Sequence, residues 1–348
     1  MMNKLLYFFL AFGLITCASK SNQSSLPPGE MPDTWSLAFY NVENLFDTKN
    51  DSKTDDEDFT PAGANKWTPE RMGKKITNLA KVIRAMDEGA GIPLIIGLCE
   101  VENDEVTIAL AQAIRPDTYG IVHKESPDHR GIDVALLYDK SQFKVISKDF
   151  LSIDFSEKGY TSREILYAQL RCSASKEDLH VFVNHWPSRR GGEDETEQRR
   201  MDAANTLKKK VDEVRSKEPT AQIIIMGDFN DYPDNRSLTT SLGAVAKDGK
   251  EDQELVNLAY ALDKANKGTY TYKGDWGMLD QIIVSDDLLK KKGIYTKAES
   301  LQIFRKDFMM YYDKNVKDSF PNRTYGRDKY YGGYSDHLPL RLTLSTHH

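Results

Sequence analysis

Short apolar segments separated by polar turns run through this chain from Trp35 to the C-terminal end, and few helices lie between them. The helices are predicted at 70–87, 104–114, 194–217, 236–243 and 286–291. Strand-like segments are more numerous, and they are predicted at 35–42, 93–99, 119–123, 132–138, 143–152, 164–172, 179–185, 222–227, 269–273, 279–285, 298–304 and 338–344. Because strand and helix do not alternate strictly, the pattern favours an α+β domain in which two packed, mostly antiparallel sheets are flanked by helices.

The length of 348 residues allows one large domain or two ordinary ones. From Trp35 onward no shift in composition and no internal repeat divides the chain, so we expect a single domain over residues 35–348. The chain carries 47 Lys and Arg against 53 Asp and Glu, a formal net charge of −6. This balance excludes a protein that coats nucleic acid by bulk positive charge, so a polyanionic partner would have to meet a local basic patch.

The N-terminal segment has the features of an export signal. Lys4 precedes an apolar run over residues 5–16, which is shorter than the roughly 20 residues that span a bilayer, and residues 1–16 are predicted to be a signal peptide. The run ends at Cys17 after Leu14-Ile15-Thr16. This resembles the bacterial lipobox, which implies that Cys17 is lipidated after cleavage, and ordinary secretion with cleavage near Ala18 is the alternative.

The residues that follow are rich in Ser, Asn, Gln and Pro. Residues 17–34 are therefore expected to be a lipidated cysteine followed by a flexible tether. We expect an exported protein that its lipid anchors to a membrane of the bacterial cell envelope. No protein partner is predicted.

Polar residues capable of chemistry stand at the ends of five predicted strands. Each motif alone is typical of a turn or a cap. Two histidines and several acids at five strand ends are harder to explain as caps. They predict a catalytic site at these strand ends, with an open mouth through which substrate enters. In chain order the motifs are Asn41-Val42-Glu43-Asn44, Glu100, Asn184-His185-Trp186-Pro187, Gly227-Asp228-Phe229-Asn230 and Ser335-Asp336-His337.

In this order the five motifs resemble those of the endonuclease/exonuclease/phosphatase family, which has the deoxyribonuclease-I-like fold. The strongest elements are the segments 227–230 and 335–339. Arg163 is similar to the family's phosphate-contacting arginine, and Asp280 to its late aspartate. Over about residues 35–344 the resemblance implies a four-layered α/β sandwich. It also implies a divalent-metal-dependent phosphoesterase in which activated water attacks phosphorus.

The resemblance implies a metal site as well. Asn41, Glu100 and Asp336 are its predicted ligands, and the ion is expected to be Mg²⁺, with Mn²⁺ as an alternative. Oxygen ligands and few protein contacts suit an ion that keeps several waters and binds substrate phosphate. Glu43, two residues after Asn41, is open between a second metal carboxylate and a surface or capping role.

His337 and His185 match the catalytic histidines of the family. Asp336 matches the acid of a dyad that fixes the tautomer of His337, so that His337 takes a proton from the attacking water as a general base. His185 matches the histidine that hydrogen-bonds the phosphate and offsets charge in the transition state. Asp280 matches the acid that orients His185 or its neighbours.

Four further residues are predicted to hold the water and the substrate. Asp228 and Asn230 match residues that position the water and the phosphoryl oxygens. Arg163 would bind a non-bridging oxygen. Arg189, beside Arg190 in the loop after His185, could bind phosphate with two hydrogen bonds, and solvated arginines on a glycine-containing loop are the alternative.

Residues 301–334 indicate a class of substrate. This late segment contains seven basic residues, four acidic residues and six tyrosines, so it is locally basic in an acidic protein. Aromatic rings interleaved with cations can stack bases and neutralise phosphates, which favours an exported endonuclease acting on DNA or RNA. One alternative is that the tyrosines only pack the segment. Another is an enzyme for small organic phosphates, inositol phosphates or phospholipid head groups, whereas a binding protein without catalysis is disfavoured because every expected polar position is occupied.

Overall fold

The computed structural model of the chain describes residues 30–247, 254–326 and 329–347. The predicted signal peptide, Cys17 and the first part of the predicted tether lie outside these residues. The first strand begins at Thr34, one residue before the predicted start of the domain. Among the described residues, no helix has the length and apolar character needed to cross a membrane.

Two large sheets form the centre of the fold. Sheet I has six strands in the spatial order β14 (Ile294–Ile303), β19 (Leu340–Thr346), β1 (Thr34–Leu45), β2 (Ile95–Val101), β4 (Asp133–Asp139) and β3 (Tyr119–His123). Sheet II has seven strands in the order β5 (Phe143–Leu151), β6 (Ile165–Cys172), β7 (Asp178–His185), β8 (Gln222–Asp228), β13 (Asp280–Ser285), β10 (Leu255–Asn257) and β9 (Ala244–Val245). Three pairs of short strands form hairpins outside them: β11 (Tyr270–Tyr272) with β12 (Asp275–Gly277), β15 (Met310–Asp313) with β16 (Asp318–Pro321), and β17 (Tyr325–Gly326) with β18 (Lys329–Tyr330).

Helices cover the outer faces of both sheets. α1 (Pro69–Arg84) and α2 (Asp104–Ile114) lie on sheet I, and α3 (Glu193–Lys217) lies on sheet II. The short helix α4 (Tyr260–Lys264) instead packs its Leu262 against the core between the sheets. Single turns of 3₁₀ or π helix occupy Glu57–Phe59, Ser237–Leu242, Asp286–Leu289 and Asp307–Met309. The start of α1 follows from its sequence. The Thr68 hydroxyl accepts a hydrogen bond from the N–H of Arg71 at 3.4 Å, and Pro69 stands in the first turn, where no backbone donor is needed.

Successive residues of the central strands alternate between two buried faces. In β1, Leu37 and Phe39 belong to the core between the sheets, whereas Ala38 and Tyr40 belong to the core under α1 and α2. β8 alternates in the same way between the inter-sheet core and a third core under α3. Because strand side chains alternate from face to face, this pattern produces four layers in the order helix, sheet, sheet, helix.

The structure confirms the predicted fold class. Each of the predicted strand segments overlaps a strand, and among the strands that the structure describes only the pairs β1–β2, β7–β8 and β9–β10 are parallel. The predicted helices at 104–114 and 194–217 agree with α2 and α3 to within one residue. The strands that the sequence did not indicate are short, and most of them form the hairpins within and before the late segment.

Candidate active site

Strand directions bring six predicted site residues to one edge of the sandwich. β1 and β2 run parallel, as do β7 and β8, so the C-terminal ends of each pair lie side by side. β13 is antiparallel to β8 and β19 is antiparallel to β1, so these two strands start at that edge. The side chains at this edge are those of Asn41, Glu100, His185, Asp228, Asp280 and, just before β19, His337.

The backbone is irregular where sheet I reaches this edge. The pairing of β1 with β2 shifts register between Asn41 and Leu45, and Glu100 falls in the matching shift of β2 against β4. Glu100 has a φ of 63° and Asn44 a φ of 53°, a left-handed conformation that non-glycine residues seldom adopt. The two strained residues hold each other, since the N–H of Asn44 donates to Glu100 Oε2 at 2.9 Å. Strain of this kind is typical of functional sites.

Asn41 joins the two sheets at the centre of the site. Its Nδ2 donates to Asp228 Oδ2 at 3.0 Å in sheet II and to Glu100 Oε1 at 3.3 Å in sheet I. Its Oδ1 accepts the N–H of Glu43 at 3.0 Å, so the amide is fixed in one orientation. Two carboxylates therefore converge on one buried amide.

The carboxylate that holds His337 is that of Asp280. His337 Nδ1 lies 2.7 Å from Asp280 Oδ2, and the ring of Tyr270 packs on the imidazole with 4.8 Å between centroids. The prediction that Asp336 orients His337 is wrong in this structure, because Asp336 instead accepts a hydrogen bond from Arg323 Nη2. Asp336 lies in a bend just before the bridge residue His337, and its carboxylate is turned to Arg323 rather than to the imidazole ring.

Asp336 is consequently paired with a cation, and among the described residues it makes no hydrogen bond to Asn41 or Glu100. Its predicted role as a metal ligand stays a prediction. The neighbouring Ser335 does contact the centre. Its hydroxyl donates to the carbonyl of Asn41 at 2.7 Å and accepts the N–H of His337 at 3.1 Å, which ties the segment before β19 to β1.

The two histidines have opposite electrostatic environments. Burial lowers the pKa of His185 well below its ordinary value, and the charges of Arg163 and Arg130 lower it further. Burial alone would also lower the pKa of His337, but the carboxylates of Asp280 and Asp228 outweigh it and raise that pKa well above its ordinary value. Burial and the two arginines thus favour the neutral form of His185, whereas the acids around His337 favour its protonated form, and environments that push two pKa values apart are typical of catalytic pairs.

His185 faces both central carboxylates. Its Nε2 lies 3.9 Å from Glu100 Oε1 and 3.8 Å from Asp228 Oδ2. Its Nδ1 is buried and has no hydrogen-bond partner in the described structure, so no acid orients this ring. Asp280 was predicted to orient His185 or one of its neighbours. In the structure Asp280 orients His337 and not His185.

Asn230 is held close to Asp228. Its N–H donates to Asp228 Oδ1 at 3.0 Å, and its Nδ2 donates to the carbonyl of Trp186 at 3.0 Å. Asn230 has a φ of 50°, which turns the chain at the end of β8. The predicted role of Asn230 in positioning the water and the phosphoryl oxygens stays a prediction.

Arg163 does not lie where the resemblance implied. Its side chain is buried, Nε and Nη2 donate to the carbonyls of His185 and Trp186, and Nη1 donates to Asp128 Oδ2 at 2.8 Å. The prediction that Arg163 binds a substrate oxygen is therefore wrong for this structure. Its guanidinium supports the backbone that carries His185.

Arg189 is also bound within the protein. Its Nε donates to the carbonyl of Asn230 at 2.7 Å, its Nη2 contacts Asp231 and Asn235, and its guanidinium lies over the ring of Tyr232. The predicted substrate-binding role of Arg189 is not supported by these contacts. It braces the turn after β8.

Glu43 anchors the late segment to β1. Glu43 is buried, so the predicted surface role is wrong. Glu43 Oε2 accepts the N–H of Thr324 at 2.6 Å and lies 3.5 Å from Lys75 Nζ. Lys75, from α1, is itself almost fully buried and also donates to Thr324 Oγ1 at 2.6 Å. A buried ion pair thus fastens the late segment beside the site.

Sequence reasoning missed Lys75 and Tyr270. A signal existed for Lys75, which interrupts the apolar stripe of α1 next to Ile76. None existed for Tyr270, which meets His337 through an isolated bridge between distant segments. Arg323 is one of the cations of the late segment that were predicted to neutralise substrate phosphates.

The donor set at the centre fits a hard divalent cation. Glu100 and Asp228 both approach Asn41, and burial together with the charge of Asp280 raises the pKa of Asp228 to about 6. Carboxylate and amide oxygens are the ligands that Mg²⁺ and Mn²⁺ prefer. Asp228, Asp280 and His337 also form a compact group of candidate ligand atoms. Asp280 and His337 already bind each other, and Asn41 presents its Nδ2 rather than its Oδ1 to the two carboxylates, so the residues that would hold the ion are Glu100 and Asp228. The role of Asn41 as a ligand stays a prediction.

Carboxylates, an amide and two histidines at the shared edge of two packed sheets are the equipment of a hydrolase that cleaves phosphate esters with the help of a divalent ion. Residues 36–346 match the model of the Endonuclease/Exonuclease/phosphatase family, and the chain belongs to this family. Members of the family are metal-dependent phosphoesterases. No protein of curated function matches the chain in sequence.

Solved structures share the fold at low sequence identity. The chain is similar to the mannosyl-6-phosphatase of Bacteroides thetaiotaomicron, with 16% identity, 89% of this chain and 99% of that chain covered, and a TM-score of 0.57. It is similar to the catalytic domain of human Nocturnin with bound sulfate, with 16% identity, coverage of 92% and 100%, and a TM-score of 0.54. It is also similar to TDP2 of D. rerio in complex with a single-strand DNA product, with 14% identity, coverage of 90% and 100%, and a TM-score of 0.55.

Proposed function

We propose that the protein is an exported endonuclease that hydrolyses phosphodiester bonds of DNA or RNA with Mg²⁺, which Mn²⁺ can replace. The observation that carries the nucleic-acid substrate is the set of three hairpins, β11–β12, β15–β16 and β17–β18, around the mouth. Each of them presents an exposed tyrosine together with a lysine. Stacking rings beside cations are the means by which proteins hold single-stranded nucleic acid.

The tyrosines of the hairpins are unusually exposed for residues of their size. Tyr272 is 63% exposed, Tyr312 57% and Tyr331 50%. Lys273 Nζ lies 5.2 Å from the centre of the Tyr272 ring, and Lys329 stands at the same distance from Tyr331. The alternative that the tyrosines of the late segment only pack it holds for Tyr325, Tyr330 and Tyr334, which contact other rings. It does not account for Tyr312 and Tyr331, which face solvent.

The hairpins adjoin the catalytic residues directly. Tyr270, at the start of β11, packs against His337. Thr271, Tyr311 and Tyr331, one from each hairpin or its end, line a common cavity of about 500 Å³, and Asp336 forms part of its wall. A strand held on the hairpins would therefore pass beside His337.

The site residues divide the reaction among them. Asn230 orients the attacking water beside Asp228, and neutral His185 donates from Nε2 to a phosphoryl oxygen. Asp280 keeps the His337 imidazole in one tautomer, with Nε2 directed to the side of Asp228. His337 accepts a proton from water more readily when the charge of Asp228, which adds to that of Asp280, is compensated. A divalent ion held by Glu100 and Asp228 would supply this compensation and would polarise the phosphoryl group.

Replacing three hairpin lysines tests the nucleic-acid substrate. In the triple variant Lys273→Ser, Lys317→Ser, Lys329→Ser, we expect a raised KM for DNA and a salt dependence of log(kcat/KM) that is flatter by about two to three units of slope, because each lost phosphate contact releases about one counterion fewer. Hydrolysis of a small chromogenic phosphodiester should stay unchanged. The measurement is cleavage of single-stranded and plasmid DNA at several salt concentrations.

The control replaces Lys140, Lys144 and Lys148, three exposed lysines at β5 and the turn before it, and it should leave the salt slope as in the wild type. An unchanged slope in the hairpin variant would contradict the nuclease proposal. It would favour an enzyme for small organic phosphates, whose ligand the 500 Å³ cavity beside Asp336 could enclose. Release of phosphate from sugar phosphates or inositol phosphates would then identify the reaction.

We also propose export and a lipid anchor at Cys17, from the sequence of residues 1–34 alone. Cys17→Ser in the full-length protein should move it from the membrane fraction to the soluble fraction, because each buried CH₂ of a lipid chain contributes about 0.8 kcal/mol to membrane binding. Fractionation followed by immunoblotting measures the shift. As a control, Ser19→Cys introduced into the Cys17→Ser protein adds a cysteine outside the lipobox, and it should not restore membrane anchoring. Retention of Cys17→Ser in membranes would refute the lipidated cysteine.

A further inference from the structure

The structure leaves the substrate phosphate without the arginine that the sequence assigned to it. Arg163 is buried under the backbone of His185, and Arg189 is bound to the turn after β8. A phosphoryl group that gains negative charge in the transition state nevertheless benefits from a cation that donates hydrogen bonds. A different guanidinium close to the catalytic residues is needed to bind the phosphoryl group.

Arg323 stands at the mouth with unused donors. Its Nη2 donates to Asp336 Oδ2, whereas its Nε is buried without a hydrogen-bond partner and lies 3.7 Å from Glu43 Oε1. Its side chain remains 41% exposed and lines the 500 Å³ cavity together with Asp336. The guanidinium therefore already holds one carboxylate oxyanion next to His337. Because Nε faces the buried Glu43, only the two terminal amino groups can reach a ligand, and Nη1 makes no hydrogen bond to the described residues.

The position of Arg323 is fixed by the residue that follows it. The N–H of Thr324 donates to Glu43 Oε2, and the Thr324 hydroxyl accepts from the buried Lys75. This anchor holds the backbone of Arg323 against β1, whose Asn41 belongs to the catalytic centre. Arg323 is thus placed by a rigid support rather than by the free end of a loop, and little ordering entropy has to be lost when it binds.

We propose that Arg323 binds a phosphate oxygen of the substrate at the mouth between Asp336 and Tyr270, in the role that the resemblance assigned to Arg163. The proposal rests on the proposed function to the extent that the ligand is a phosphate ester. Its guanidinium offers paired donors that match two oxygens of one phosphate, which a lysine cannot reproduce. Arg323 is then a substrate-binding residue contributed by the late segment.

The test compares Arg323→Ala and Arg323→Lys with the wild type. Inorganic phosphate, titrated by calorimetry into the protein in the presence of Mg²⁺, should bind at least tenfold more weakly to both variants. Turnover of the chromogenic diester should fall by about 10² in kcat/KM for Arg323→Ala, a loss typical of removing one donor to a transition-state oxyanion. Guanidinium chloride at low millimolar concentration should restore part of the activity of Arg323→Ala and none of that of the wild type.

The control is Arg305→Ala, which removes a guanidinium that lies over Trp276, and it should change neither phosphate binding nor turnover. A thermal melt establishes that each variant is folded, and Arg323→Lys keeps the charge beside Glu43 and Asp336. Equal phosphate affinity in the wild type and in folded Arg323→Ala would overturn the proposal. Activity that excess Mg²⁺ restores and guanidinium does not would also overturn it, since Arg323 would then only balance the charges of Glu43 and Asp336. A wild type that binds phosphate but cleaves no phosphate ester would refute the proposed function and leave the binding comparison decisive for Arg323.

Discussion

Asp280→Asn should lower kcat by about 10² to 10⁴, almost as much as His337→Ala, because an amide can no longer hold the imidazole in the tautomer that accepts a proton at Nε2. His185→Ala should cost at least about 10², since it removes the neutral donor beside Glu100 and Asp228. Steady-state kinetics on a phosphodiester, with circular dichroism to establish folding, measure these losses. The double variant Asp280→Asn, His337→Ala should lose little beyond His337→Ala, because the two residues act as one unit.

Asp336→Asn is the informative comparison for this result. If Asp280→Asn kept near-normal turnover and Asp336→Asn lost it, the pairing inferred from adjacent residues in sequence would be right and the 2.7 Å contact between His337 and Asp280 would have no catalytic role. Near-normal kcat in His337→Ala or His185→Ala would refute their assignment altogether.

Glu100→Gln should weaken ion binding by about 10- to 100-fold and abolish most activity at low Mg²⁺. The glutamine keeps the shape of the side chain and can still accept one of the two hydrogen bonds that Asn41 and Asn44 donate, but its amide nitrogen cannot accept the other. It also removes one of the two charges that converge on the amide of Asn41. Losing a charged ligand costs at least as much affinity as losing an outer hydrogen-bond partner of a metal site. Activity should therefore return in part when Mg²⁺ or Mn²⁺ is raised.

Titration of activity with each ion, after treatment with EDTA, measures this shift. Glu105→Gln serves as a control, because Glu105 lies on the exposed face of α2 and pairs with Lys49. Full activity of the wild type in EDTA would contradict a metal-dependent reaction. A Glu100→Gln variant with unchanged ion dependence would remove Glu100 from the ligand set.

The layers of the fold were predictable because its long strands are buried on both faces. Runs such as 223–226 are apolar at every position, and burial against a second sheet and against a helix accounts for both alternating sets. The hairpins β15–β16 and β17–β18 have strands of two to four residues with polar side chains. Neither alternation nor length distinguishes such strands from turns, and their pairing is decided by distant contacts.

The members of the site were predictable, but their partners were not. Strand ends place Asn41, Glu100 and His185 at one edge whatever the details of packing. Which acid meets His337 depends on how β13 of sheet II faces the end of sheet I, a relation between residues 57 positions apart. Arg163 has the position along the chain that the resemblance implied. Its N–H groups, however, donate to the carbonyls of His185 and Trp186. The sequence does not show which way a side chain turns at a strand end.

The buried ion pair of Lys75 and Glu43 couples the late segment, and with it the choice of substrate, to the stability of the fold. The late segment is attached to Lys75 of α1 and Glu43 of β1, and the hydrogen bonds of these two side chains are complete only when Thr324 is in place. Exchanging the segment between relatives without the matching residues of α1 and β1 would leave the buried Lys75 and Glu43 without the hydrogen bonds of Thr324, and each buried polar group left unsatisfied costs about 1–3 kcal/mol. That is a large share of the roughly 5–15 kcal/mol that keeps a domain folded. A late segment with a new substrate specificity can therefore be transplanted into this fold only together with its contact residues, which lie within the first eighty residues of the chain.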